Sequence, residues 1–249
     1  LKNTSDEALI AQHQPEAIRL RLRAKQRPSL IPNLILGAID GCVTTFAIIA
    51  GSIGAGISYK TAVVLGFANL LADGFSMGVS TYEAAQAERA HIDSLRKTEC
   101  EHIEKLPEGE KEELRQLYQA KGLKASTVED IVATISTQKK LWVDTMLTEE
   151  YGVHPNTANP LLAGLATFAA FVFIGTIPLL PMLIPSTALF NSSIISAVLA
   201  GLIFFSIGFF KGKIYFQEPV LSGFKTLTTG GIAAIIAFGA GHGLTNLLN

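Results

Sequence analysis

Two aspartates stand inside stretches that are otherwise almost free of charge. Asp40 lies in Gly37-Ala-Ile-Asp40-Gly41, and Asp73 in Asn69-Leu-Leu-Ala-Asp73-Gly-Phe-Ser76-Met77-Gly78. A charge at the centre of a bilayer costs at least a few kcal/mol. An uncompensated carboxylate there marks a path for ions or protons. Asn69, Asp73, Ser76 and Met77 fall at helical spacing on one face. Such a stripe offers amide, carboxylate, hydroxyl and thioether groups to a partly dehydrated, soft-to-borderline cation such as Fe²⁺ or Mn²⁺. The plainer alternative is pairing between helices, with glycine and serine permitting close approach. Two aspartates with no intramembrane lysine or arginine to neutralise them weigh against it.

A second set of carboxylates lies in a polar stretch: Glu101-His-Ile-Glu104, Glu110-Lys-Glu-Glu113 and Met146-Leu-Thr-Glu149-Glu150. Glutamates three apart on a helix share a face and repel each other unless a cation sits between them. One such glutamate would be an ordinary solvated charge. Pairs on consecutive helices, one with a methionine beside it, predict a multi-oxygen site for a divalent metal. Glu88-Arg-Ala-His91 and Glu99-Cys-Glu-His102 both have the Glu-x-x-His spacing of di-iron carboxylate bundles. Both fall on one predicted helix, so they cannot face each other across a di-iron centre. A membrane-anchored ferroxidase is therefore the alternative reading, and a metal-sensing adaptor without a pore a further one. His91 and His102 remain auxiliary ligands or surface histidines. His242, between two glycines, reads as a helix-packing residue rather than a proton relay.

The elements that must position these groups follow from composition. The 249-residue chain is 49% hydrophobic and 16% charged, with a formal net charge of -1 and a mean hydropathy of +0.36. Soluble domains carry roughly 25% charged residues. Here the charges crowd into residues 1–27 and 83–150, the segregation a bilayer imposes. A spanning helix needs about 20 mostly apolar residues. Five segments qualify, near 33–57, 61–82, 160–183, 188–210 and 224–248. None alternates with the period of a strand, and lipid leaves helices or closed barrels as the choices. The fold class is thus all-α, with five transmembrane helices and a helical insert between spans two and three. Residues 1–32 form an Arg-rich N-terminus suited to lie on anionic lipid. Spans one and two occupy 33–82, the Glu-rich insert 83–153, and spans three to five 154–249.

Basic residues near helix ends set orientation. Arg19, Arg21, Arg23, Lys25 and Arg27 place the N-terminus in the cytosol, and Lys211 and Lys213 after span four lie on that side. The link between spans three and four, around Pro181, Pro185 and Asn191, carries no charge. The insert is then cytosolic and the C-terminus is on the far side. Residues 1–27 hold no apolar run, so no cleavable signal peptide is expected. Within the insert, one helix continues span two to about Glu104. Leu106-Pro107 breaks it, and a second helix runs to Lys121 before Gly122. Ser126 with Glu129 reads as a capping-box start for a third, and a fourth runs from about Gln138 to Glu150. Cys42 and Cys100 lie apart with no CxxC, so two free thiols are expected.

The motifs Leu36-Gly37-Ala-Ile-Asp40-Gly41 and Ala68-Asn69-Leu-Leu-Ala-Asp73-Gly-Phe-Ser76-Met77-Gly78 resemble those of the vacuolar iron transporter family, which has bacterial and nodulin-like members. The Glu-rich insert ending Glu149-Glu150-Tyr151-Gly152, and Ile177-Pro178-Leu-Leu-Pro181, extend the resemblance over nearly the whole chain from residue 33. It implies a homodimer of five-helix protomers with a pore between them. It also implies proton-coupled export of metal from the cytosol; the substrate expected is Fe²⁺, with Mn²⁺, Co²⁺ or Zn²⁺ as alternatives to it, and no prosthetic cofactor is expected. By the resemblance Asp40 and Met77 would line the path, and the shared helical face adds Asp73 and Asn69. Glu101, Glu104, Glu110, Glu113, Met146 and Glu150 would hold metal, with Glu112 and Glu149 as alternates. The expected partners are membrane lipid, divalent ions and a second copy, not nucleic acid. The expected membrane is the bacterial cell membrane or, in a eukaryote, that of the vacuole, and no enzymatic activity is expected.

Overall fold

The structure is a computed structural model and describes residues 6–24, 28–183 and 189–248. Among these the chain forms ten α-helices and no strand. Two short helices come first, α1 (Asp6–Gln12) and α2 (Pro15–Ala24). Lys25, Arg27 and Pro185, which entered the orientation argument, lie outside the described residues. Five helices are long and apolar enough to cross a membrane. They are α3 (Ile31–Gly54), α4 (Tyr59–Lys105), α8 (Pro160–Thr176 with its 3₁₀ extension), α9 (Leu189–Ile214) and α10 (Pro219–Leu248). Their apolar side chains point outward as well as inward: Phe173 is 76% exposed and Ile235 74%. Helices apolar all round need a hydrocarbon solvent. The chain is an all-α membrane protein.

Chain chemistry sets the ends of these helices. Pro32 sits in the first turn of α3, where its missing N–H is no loss. Asn159 caps α8 by accepting a hydrogen bond from the Leu162 amide at 3.2 Å, with Pro160 following in the first turn. Pro178 and Pro181 turn the end of span three into a 3₁₀ helix, Ile177–Leu183. Ser196 of α9 donates its hydroxyl to the Pro178 carbonyl at 2.7 Å.

The chain divides into two compact units. The larger holds residues 6–24, 29–83 and 159–248, and its spans pack around small residues. A Cβ on Gly41 would collide with the Phe171 backbone, and one on Gly74 would lie 3.1 Å from the Phe171 ring. Phe171 itself is fully buried, with Ile49, Leu70 and Leu179 around it. Glycine here lets α3 and α4 close on α8.

The smaller unit, with residues 84–158 as its main segment, holds the second half of α4 together with α5 (Pro107–Ala120), α6 (Ala125–Ser136) and α7 (Lys139–Glu149). Its core joins Ile103, Leu114, Val128, Val132, Trp142 and Leu147. Leu106-Pro107 breaks the chain where expected. Gly122 and Gly152 take positive φ angles of 85° and 66° after α5 and α7, a conformation that favours glycine. The third insert helix differs from expectation. It begins at Ala125 after Lys124, with no side-chain cap, so Ser126 lies inside it. Arg115 instead engages Glu129, at 2.8 Å, which removes the glutamate from any capping box. Both cysteines are free, Cys42 buried and Cys100 partly so.

Candidate metal pathway and acidic cluster

In the larger unit Asp40 is half-buried, two turns into α3, and its carbonyl accepts a hydrogen bond from Thr44 Oγ1 at 2.8 Å. Asp73 is half-buried on α4. The Gly next to each aspartate, Gly41 and Gly74, abuts the same Phe171. The two carboxylates are thereby brought to neighbouring helices at one level. Asn69 and Met77, one turn either side of Asp73, are half-buried with it, whereas Ser76 is exposed. Met77 also packs against the cluster around Phe171. Asp40 opens onto a cleft of about 550 Å³ lined by Leu36, Ile39, Lys211 and Tyr215. Lys211, in the last turn of α9, is thus a cation on the wall that Asp40 shares. Reading segments singly gave no hint of it, since the two residues are far apart in sequence.

In the smaller unit, α4, α5 and the end of α7 bring together Glu99, His102, Glu110, Glu113 and Glu150. Glu99 is 1% exposed and Glu110 3%. Tyr151 donates its hydroxyl to Glu99 Oε1 at 2.9 Å. His102 Nδ1 stands 3.2 Å from Glu110 Oε1 and 3.9 Å from Glu99 Oε1. The second carboxylate oxygen of Glu99 and that of Glu110 are buried without any hydrogen-bond partner. Unpartnered buried oxygens are costly. Burial, then the charges of Glu99 and Glu113, push the Glu110 carboxyl up to about 7. Burial, then Glu99 and Glu113, raise Glu150 as well. Glu113 and Glu150 are exposed and line one side of an open pocket of about 320 Å³. Met146, fully buried, lies one turn before Glu150 in the core of the unit.

Of the six side chains expected to hold metal, the structure gathers Glu110, Glu113 and Glu150, with Met146 packed beneath. Glu101 and Glu104 face outward: Glu101 pairs with Lys105 at 3.5 Å and Glu104 with Lys139. The Lys139 hydrogen bond and charge hold the Glu104 carboxyl below its ordinary range. Glu112 pairs with Arg115 and Glu149 with Lys121. Glu99 was legible by another signal. It lies on the apolar stripe Ile92–Leu95–Glu99–Ile103, where a glutamate is out of place. Among the described residues no three His, Cys, Asp or Glu side chains form a ready metal cage. The cluster is a set of facing acids that an ion would have to draw together. Glu88 and His91 are exposed and lie on α4 along with Glu99 and His102, so no second Glu-x-x-His helix completes a di-iron centre.

The VIT family model matches residues 31–242, from the start of α3 to near the end of α10. The vacuolar iron transporter of Toxoplasma gondii (strain ATCC 50861 / VEG) is 34% identical over 85% of this chain and 73% of its own. That of Centaurea cyanus is 33% identical, over 86% and 87%. Vacuolar iron transporter 1 of Arabidopsis thaliana is 31% identical over 84% of each chain. The match spans both membrane aspartates and the acidic cluster, and the chain belongs to the VIT family, whose members are membrane transporters rather than enzymes.

Proposed function

We propose that this protein is a divalent-metal transporter that moves Fe²⁺ out of the cytosol in exchange for protons, with Mn²⁺ as a further substrate. Named relatives are iron transporters. The observation that carries the reading is the pairing of Asp40 and Asp73 on adjacent helices around Phe171, with Asp40 open to a cleft. A dication crossing a low-dielectric layer needs fixed negative charge along its route. A carboxylate holds either a metal ion or a proton, so a proton arriving from the far side can replace the metal. Asn69 and Met77 extend the route along α4. The acidic cluster, with Glu110, Glu113 and Glu150, collects metal at the cytosolic face. Glu101 and Glu104 sit on the outer surface of the same unit and add to its negative field. The working unit in this reading is a homodimer with the pore between its protomers. The test is metal flux in proteoliposomes under an imposed pH gradient. Uptake driven by the gradient supports the reading; no flux in either gradient direction, with correctly inserted protein, overturns it.

A further inference from the structure

Among the described residues, His102 is the imidazole paired with the acids of this cluster. Its Nδ1 stands 3.2 Å from Glu110 and 3.9 Å from Glu99, while its side chain is half exposed. The cluster has a ligand-directed feature beyond its charge, namely the unpartnered buried oxygens of Glu99 and Glu110. A neutral imidazole can carry its proton on the solvent side, at Nε2, and present the Nδ1 lone pair inward. We propose that His102 is a metal ligand of the acidic cluster and sets its selectivity, favouring Fe²⁺, Co²⁺ and Zn²⁺ over Mn²⁺. This rests on the reading of the cluster as a metal-collecting site. Carboxylate oxygens alone suit Mn²⁺, Mg²⁺ and Ca²⁺, whereas imidazole suits iron, cobalt and zinc. One nitrogen among facing carboxylates therefore shifts the order of affinities without changing the charge the site presents. Tyr151, which donates its hydroxyl to Glu99 Oε1 at 2.9 Å, holds that carboxylate in place and acts as a positioning residue.

The test uses the full chain in detergent, titrated separately with Co²⁺, Zn²⁺ and Mn²⁺. In His102→Glu the ratio of Mn²⁺ to Co²⁺ dissociation constants should fall roughly tenfold or more, with Mn²⁺ still bound. His91→Ala, an exposed histidine on the same helix, should leave the ratio unchanged. Pulsed EPR of the Mn²⁺-loaded protein provides a second readout, independent of affinities. Nitrogen modulation lost in His102→Ala supports the assignment. Metal binding with no histidine nitrogen, or an unchanged ratio in His102→Glu, overturns the role of His102 alone. If neither Co²⁺ nor Mn²⁺ binds the wild-type protein in the cluster, the collecting-site reading falls along with it.

Discussion

Glu110 is an acid held where an anion is unwelcome, 3% exposed and facing Glu99, Glu113 and His102, with Glu150 and Tyr151 at the edge of the same group. Its carboxyl titrates near 7 in the folded protein against about 4.5 ordinarily. Between those values the folded chain binds more protons than the unfolded one, so stability falls as pH rises through this window. The metal-free insert should thus be more stable at pH 5 than at pH 8, read from amide exchange in α5 and α7 of the full chain. Glu110→Gln should flatten the slope, and added Co²⁺ should restore protection at pH 8. A metal-free insert that gains protection with rising pH contradicts this account. For Asp40 the expectation concerns flux. Asp40→Asn should lower transport by about a hundredfold or more, since a counter-charge within the membrane is worth at least a few kcal/mol, while expression stays near normal. Wild-type rates in that variant would remove Asp40 from the path. These residues were unequally legible. An aspartate in an apolar span announces itself by cost alone. In the insert, pairs three apart recur in several registers, and Glu-x-x-Glu spacing alone does not separate buried Glu99, on the apolar stripe of α4, from Glu101 and Glu104, paired with lysines.

At the scale of elements, the five spans were legible because hydrocarbon permits few alternatives to an apolar helix of sufficient length. The break at Pro107 was legible because proline removes a backbone donor; the change to a 3₁₀ helix at Ile177 was not foreseen within the 160–183 span. Ser126 was not, because a capping pattern competes with tertiary contacts that a local reading cannot see: Glu129 is engaged by Arg115 of α5. Nor was the convergence of α3 and α4 on Phe171, which depends on which glycine faces which helix. It has a consequence that can be measured. A Cβ on Gly41 meets the Phe171 backbone rather than a movable side chain, so Gly41→Val must push α3 away from α8. Metal flux should fall at least about tenfold, because displacement of even an ångström at a reacting or coordinating group is costly. Co²⁺ binding by the acidic cluster, whose residues all lie in the other unit, should persist. Gly231, which has open space around it, provides the control: Gly231→Ala should leave flux within about twofold, as surface changes usually do. Equal losses at both positions would show that the effect is not one of α3–α8 packing.

At the scale of the whole molecule, the proposed function gives the two groups of acids different work. α4 alone, at 47 residues, is about 70 Å long, more than twice the roughly 30 Å of a hydrocarbon core. Its apolar half carries Asp73 and its polar half carries Glu99 and His102. A cluster in water raises the local concentration of metal and binds it equally whether or not it goes on to cross; removing it weakens uniform binding, which appears in KM and not in kcat. A carboxylate inside the membrane acts on the barrier, because the dication loses its hydration shell there and needs a fixed counter-charge. Changing Glu110, Glu113 and Glu150 together to Gln should therefore raise the apparent KM for Fe²⁺ or Mn²⁺ about tenfold or more, with turnover recovered at saturating metal. Changing Asp40 to Asn should remove turnover at every concentration. Initial flux against metal concentration, at a fixed pH gradient, separates the two. The triple variant must first show wild-type amide protection in α5 and α7, since it also removes repulsion that the fold now tolerates. If it is folded and still carries no flux at saturation, the acidic cluster is an obligatory station on the route, and the division between collecting and conducting acids is wrong.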